Sequence, residues 1–168
     1  MRLGLDNHYV CGDARYLPFA AAQFDNVFSY SVLQHFSKAD AQVAFDEAAR
    51  VLKTDGRVLV QLAHVVGVRS LYHQLRRGFR EPEGFDVRYW TIGEMKRTLA
   101  RRFRAPEVSV HCYFGLGLEP SDIGLVRPVG RLMIRLSEAL RNASHFLPPL
   151  KRIADSLYVS AVKSTESG

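Results

Sequence analysis

Cysteine is scarce in this 168-residue chain, with only Cys11 and Cys112, far apart and in no CxxC or metal-ligand spacing. That pattern excludes a disulfide framework and gives no metal site, so both thiols are expected to be reduced and buried. The chain also lacks an N-terminal apolar run of the signal-peptide kind, and no stretch approaches the roughly 18 uncharged apolar residues that a membrane helix needs. A cytoplasmic location is the expectation that follows, and the glycosylation-type triplet Asn142-Ala143-Ser144 is then read as accidental. There is no internal repeat and no long low-complexity segment. No nucleic-acid reading motif or aromatic-basic interleaving on a strand accompanies the net charge of +6, so nucleic acid is not the expected partner.

What is present is the composition of one folded domain, 47% hydrophobic and with an arginine excess. Charge of that sign speaks to association with anions or a lipid surface rather than to chemistry, and a solvated arginine face is the simplest reading. Along the chain, His8 to Cys11 reads as a strand stopped by Gly12-Asp13, and Phe24 to Val32 as a second strand. Ser37 and Asp40 have capping-box spacing ahead of Ala41, Ala44, Phe45, Ala48, Val51 and Leu52, which recur at helical intervals. Thr54-Asp55-Gly56 supplies turn chemistry, and Arg57 to Ala63 reads as a strand buried on both faces.

Val66 to Arg77 predicts a basic amphipathic helix, and Gly78 to Arg88 a loop. Thr91 and Glu94 predict another capped helix, carrying Ile92, Met95, Leu99 and Phe103 on one side. Val108 to Phe114 is expected to be a strand and Gly115 to Val126 a loop. Pro128 opens a helix with Val129, Leu132, Met133, Leu136 and Leu140 on one side and Arg127, Arg131 and Arg135 opposite. Pro148-Pro149 ends it, Ser156 to Val162 forms a last strand, and the polar residues 164–168 form a frayed tail. Strands alternating with helices predict an α/β layer with a largely parallel sheet whose last strand runs antiparallel.

Read in series, Gly12-Asp13-Ala14, Leu17-Pro18-Phe19, Phe24-Asp25-Asn26-Val27, Val32-Leu33-Gln34-His35, Glu47-Ala48-Ala49-Arg50-Val51-Leu52 and Asp55-Gly56-Arg57 resemble the middle of a class I S-adenosylmethionine-dependent methyltransferase of the type 11 kind. The resemblance is specific over residues 5–63 and rests on element order beyond them. It implies an incomplete Rossmann-like sheet comprising family strands three to seven, in a partial domain over 1–163 with a helical cap inserted at 115–155. The implied activity is methyl transfer from S-adenosylmethionine to a small-molecule acceptor. Such a transfer is an in-line displacement in which the cofactor carries the reactivity, so no catalytic triad or ligand cluster is expected.

The resemblance assigns Asp13 and Ala14 to the adenine. A turn in which Asp13 satisfies its own backbone is the competing reading. Ser29, Tyr30 and Ser31, with Val32 and His35, fall at the C-terminal end of the second strand, where open α/β sheets bind ligands. Ser29, Tyr30 and Ser31 are therefore cofactor-binding candidates. His35 is the catalytic candidate, as a neutral imidazole able to take a proton from the acceptor, with a helix-capping role as the alternative. His64, Tyr72, Tyr89 and Trp90 lie in segments that cover the acceptor in similar enzymes. Each of the aromatic ones has ordinary core packing as its alternative. Asp25 is assigned a structural role and Glu47–Arg50 a local helical pair. The basic face of the late helix offers an anionic acceptor or a peripheral membrane contact an attachment.

In the family, a glycine-rich first strand and an acid-ending second strand precede the segment where this chain starts, and Gly115-Leu116-Gly117 does not replace them. Cofactor binding is therefore expected to be weak or absent in this chain alone. With the sheet order 3-2-1-4-5-7-6, the strand at His8 to Cys11 has no neighbour. It is expected to shift, to be poorly ordered, or to be completed by a second chain. The alternative function is a noncatalytic remnant that docks a partner through the open sheet edge.

Overall fold

The computed structural model describes residues 8–80, 82–115 and 120–164. The frayed tail expected at 164–168, Leu116 and Gly117 fall outside them, apart from Ser164. Four strands, β1 (Phe24–Ser29), β2 (Leu52–Ala63), β3 (Phe103–Cys112) and β4 (Ser156–Lys163), form one sheet in the order β1-β2-β4-β3. β1 and β2 pair in parallel, while β4 is antiparallel to both β2 and β3. Three strands thus share one direction and the last inverts between two of them, which is the 4-5-7-6 portion of the family order.

Family strand three is not formed among the described residues. His8 to Gly12 is exposed and has no ladder partner; the nearest pairing is an isolated bridge between Asp13 and Tyr16. The β-forming composition there meets no neighbouring strand, and an unpartnered strand gains nothing over solvated backbone. Cys11 is consequently exposed rather than buried, whereas Cys112 is buried as expected.

β1 ends at Ser29, three residues earlier than its composition suggests, because Ser31 takes the left-handed conformation at φ 56° and turns the chain into a 3-10 turn, Leu33–His35. Helix α1 (Lys38–Val51) starts where Ser37 Oγ accepts from the Asp40 N–H, and it buries Ala41, Ala44, Phe45 and Ala48. Its Glu47 and Arg50 do more than pair with each other. Arg50 donates to the carbonyls of Leu17 and Phe19, and Glu47 accepts from the Leu17 N–H, so the pair clamps the Leu17-Pro18-Phe19 loop onto the helix. Asp25 pairs with Lys53 at the exposed far edge. Thr54-Asp55-Gly56 turns with Asp55 at φ 60°, as an excursion inside β2 where the register against β1 slips between Phe24 and Asn26.

Helix α2 (Val68–Arg76) follows β2, and α3 (Ile92–Leu99) carries the full capping box at Thr91 and Glu94. Phe103, expected on α3, instead begins β3, because α3 closes at Ala100 and a bulge with Ala105 at φ 49° admits Pro106 on this edge strand. The core lies on one sheet face, where Val58, Val60, Leu157 and Val159 meet Phe45, Trp90, Met95 and Leu99. The other face is open among the described residues, with Phe28 60% and Leu59 37% exposed. β2 is therefore not buried on both faces along its length. Helix α4 (Pro128–Ala143) begins with its proline as expected, but it buries Ile134 and Ser137 and leaves Val129, Leu132 and Leu136 exposed. Its inward face carries Ile134, Leu140 packed against the core, and Ser137, whose hydroxyl accepts from the Tyr113 N–H.

Candidate active site

The ends of β1 and β2, the start of β4 and the end of β3 converge at one edge of the sheet, where α2 and the segment around Tyr89 enclose a cavity of about 570 Å³. This is the edge at which open α/β sheets take ligands. Its floor is a continuous polar chain. Gln34 Nε2 donates to Ser31 Oγ at 2.8 Å, the Ser31 N–H donates to Gln61 Oε1 at 2.9 Å, and Gln61 Nε2 donates to Ser156 Oγ. Ser156 Oγ is 3.0 Å from His111 Nδ1, and His111 Nε2 is 3.4 Å from the Tyr30 hydroxyl. Tyr30 and Ser31 thus belong to the cavity, while Ser29 stays in the ladder opposite Val60 and does not line it.

A second depression, of about 660 Å³, lies on the other side of the 31–35 turn and brings together Asp13, Ala14 and His35. Asp13 is oriented by Arg15, whose backbone N–H and guanidinium both donate to its carboxylate. These bonds hold the Asp13 carboxyl below its ordinary range. Arg15 also reaches Asp40, itself held low by Ser37 and Arg15. No acceptor among the described residues takes the Ala14 N–H. His35 stacks on Phe85 with ring centroids 4.1 Å apart, and its Nδ1 lies 2.7 Å from the Phe85 carbonyl. A carbonyl only accepts, so Nδ1 carries the proton and Nε2 of the neutral ring is the basic atom.

The other sequence candidates separate. Tyr89 lines the first cavity, and burial pushes its hydroxyl pKa up. Tyr72 lies on the outer side of α2, 54% exposed beneath Arg76. Trp90 is fully within the core. His64 is buried and does not reach the cavity: its Nδ1 faces the Ala154 carbonyl at 3.0 Å, and its backbone bridges to Trp90 and Asp155. Burial pushes the His64 pKa down against the opposing effects of the Ala154 carbonyl and Asp155. It is a joint between loops rather than a wall of the crevice. Sequence reading missed Gln34, Gln61, His111, Ser156 and Asp155. Isolated polar residues at strand ends have no spacing to mark them, and only the sheet order assembles them.

Residues 2–60 match the family model described as a methyltransferase domain. No curated protein matches the chain. Among solved structures, a SAM-dependent methyltransferase of Thermotoga maritima superposes with a TM-score of 0.58 at 15% identity, over 91% of this chain and 62% of that one. The YcgJ protein of Bacillus subtilis superposes at 0.51 and 21% identity, over 92% and 70%. Phosphoethanolamine N-methyltransferase 2 of Haemonchus contortus, solved with phosphomonomethylethanolamine and S-adenosylhomocysteine, superposes at 0.54 and 18% identity, over 91% and 36%. The chain therefore spans 62% of the length of the Thermotoga protein and 36% of the Haemonchus one. The family-model match thus covers about the first third of the chain, and over the rest the likeness to these structures is one of fold.

Proposed function

We propose that this chain serves S-adenosylmethionine-dependent methyl transfer to a small-molecule acceptor, with the adenine end of the cofactor at Asp13 and Ala14 and the acceptor in the cavity floored by Tyr30, Ser31 and Gln61. The observation that carries the reading is the pair of depressions flanking the 31–35 turn at the ligand-binding edge of the sheet. The residues fit the adenine end: the Ala14 N–H is a donor with no acceptor among the described residues, and Asp13 is an acceptor already aimed by Arg15. No glycine-rich strand-to-helix turn for the methionine end occurs among the described residues. When bound, the cofactor supplies a methyl group on a sulfonium. This chain's residues orient the acceptor and exclude water, while His35 stands on the adenine side of the turn, beside Asp13 and Ala14.

Calorimetric titration with S-adenosylhomocysteine tests the cofactor half. With the glycine-rich turn lacking among the described residues, any binding is expected to be weak, and Asp13→Ala should weaken it about tenfold or more by the loss of a charge-assisted bond of roughly 1.5–3 kcal/mol. A folded chain that shows no binding would remove cofactor capture from this chain acting alone. It would favour the second reading, a noncatalytic module that docks another chain. The outer edge of β1, unpaired among the described residues, and the exposed Phe24 and Phe28 support that reading. Sedimentation of the chain with and without a candidate partner reads it directly.

A further inference from the structure

Four buried side-chain polar atoms lack a hydrogen-bond partner among the described residues, and three of them belong to residues that line the cavity floored by Gln61: Gln34 Oε1, Arg77 Nε and Asp155 Oδ2. Asp155 is the most demanding of these. It is 2% exposed, and no cation lies within ion-pair distance of it among the described residues. Its Oδ1 accepts from the Ser70 N–H at 2.8 Å, the third residue of α2, whose Gly67 cap has no side chain to do so. Helix capping therefore explains one carboxylate oxygen and the helix dipole favours its charge. Capping leaves Oδ2 unexplained. A buried carboxylate oxygen without a donor is costly, and so is a buried amide oxygen.

The helix that Asp155 caps brings groups of the opposite charge to the same cavity. α2 presents Arg69, His73 and Arg77 at four-residue intervals along the side that lines the cavity. Arg69 makes no ion pair among the described residues and rests its stem near Gly115, where an added Cβ would come within 3.0 Å of it. Arg77 lies over the Tyr89 ring, and its one ion pair among the described residues is a long 3.7 Å contact with Asp86. The cavity lining thus holds two oxygens that need donors, Gln34 Oε1 and Asp155 Oδ2, and guanidinium groups on α2 and its C-terminal cap that can still take an oxyanion.

From this juxtaposition we infer that the cavity binds a small bifunctional molecule, with an ammonium group meeting Asp155 Oδ2 and Gln34 Oε1 and a carboxylate or phosphate meeting Arg69 and Arg77. An ammonium is favoured over a hydroxyl because it brings several donors to two acceptors and neutralises the buried charge. As an account of the acceptor, the inference rests on the methyl-transfer reading. As an account of a binding site, it stands without it.

The test is a set of NMR-monitored titrations of the full chain with 4-aminobutyrate and 2-aminoethyl phosphate, using butylamine and butyrate as single-function controls. Each is run with and without S-adenosylhomocysteine. The bifunctional probes are expected to bind at least about tenfold more tightly than either control. Asp155→Asn keeps an oxygen for Ser70, and Arg77→Gln removes a guanidinium group; each should weaken the bifunctional probes about tenfold or more. The second variant lies at the C-terminal end of α2, away from the N-terminal turn that Asp155 caps, so the test survives if the first fails to fold. Probes that bind no better than the controls, probes that do not bind at millimolar concentration, or equal affinity in the folded variants would overturn the inference. Probe binding by a chain that ignores S-adenosylhomocysteine would uphold the site while removing the cofactor half of the methyl-transfer reading.

Discussion

Gln61 is the residue on which the cavity floor depends, and replacing it with methionine tests that dependence. Its amide oxygen takes the Ser31 N–H at 2.9 Å, and its amide nitrogen donates to Ser156 Oγ, joining the end of β1 to the start of β4 across β2. Gln61→Met keeps the length and burial of the side chain and removes both bonds. Ser156 retains His111 as a partner, but the Ser31 N–H is left with none at a half-buried position. The structure leads us to expect a loss of about 1–3 kcal/mol, the cost of one stranded donor with little cavity term. That is a large share of the roughly 5–15 kcal/mol that a domain of this kind has in total. Urea denaturation should show a lower midpoint at unchanged m value. A cycle with Ser156→Ala should be non-additive by at least about 0.5 kcal/mol, since the two residues share a bond. A shift below about 0.5 kcal/mol together with an additive cycle would refute the bridging role.

Arg50→Ala removes the clamp on the Leu17 and Phe19 carbonyls, and we expect amide hydrogen exchange at residues 17–23 to accelerate well before exchange in β2 does; uniform acceleration would contradict a local clamp. Hydrogen bonds from Arg50 hold the Glu47 carboxyl below its ordinary value, so its contribution is complete above the usual carboxylate range near pH 4.5 and is lost as pH falls through the lower folded value. A melting-temperature profile between neutral and acid pH should therefore fall less steeply in Arg50→Ala, and parallel profiles would count against the pairing. The buried His64 has a folded pKa below about 6.5, so the unfolded chain binds its proton first and stability declines as pH falls from that value toward the folded one. His64→Gln should flatten that part of the profile, and an NMR titration placing the His64 pKa above about 6.5 would reverse the sign.

Much of the architecture was legible from local pattern. The caps at Ser37 and Thr91, the turn at Asp55-Gly56 and the proline start of α4 are short-range chemistry, and each is found where the residues put it. The motif series also gave the sheet order that β1, β2, β4 and β3 adopt. Local pattern failed where a distant neighbour decided the outcome. His8 to Cys11 has strand composition and no strand to pair with; Phe103 continues a helical spacing but starts β3; Leu132 extends an apolar stripe yet stands 67% exposed, while Ile134 turns inward.

By itself the sequence determined the elements and their class, because helical period, capping and turn residues act over a few positions. That Asp13, Ala14 and His35 share one depression was decided by the fold. Only the tertiary structure decided that His64 would lock two loops instead of facing a ligand, and that Gln34, Gln61, Ser156 and Asp155 would meet in one cavity. Those residues come from strand ends separated by up to 121 positions in the chain, as Asp155 is from Gln34. What brings them together is the inverted insertion of β4 between β2 and β3, a long-range pairing that no local spacing encodes.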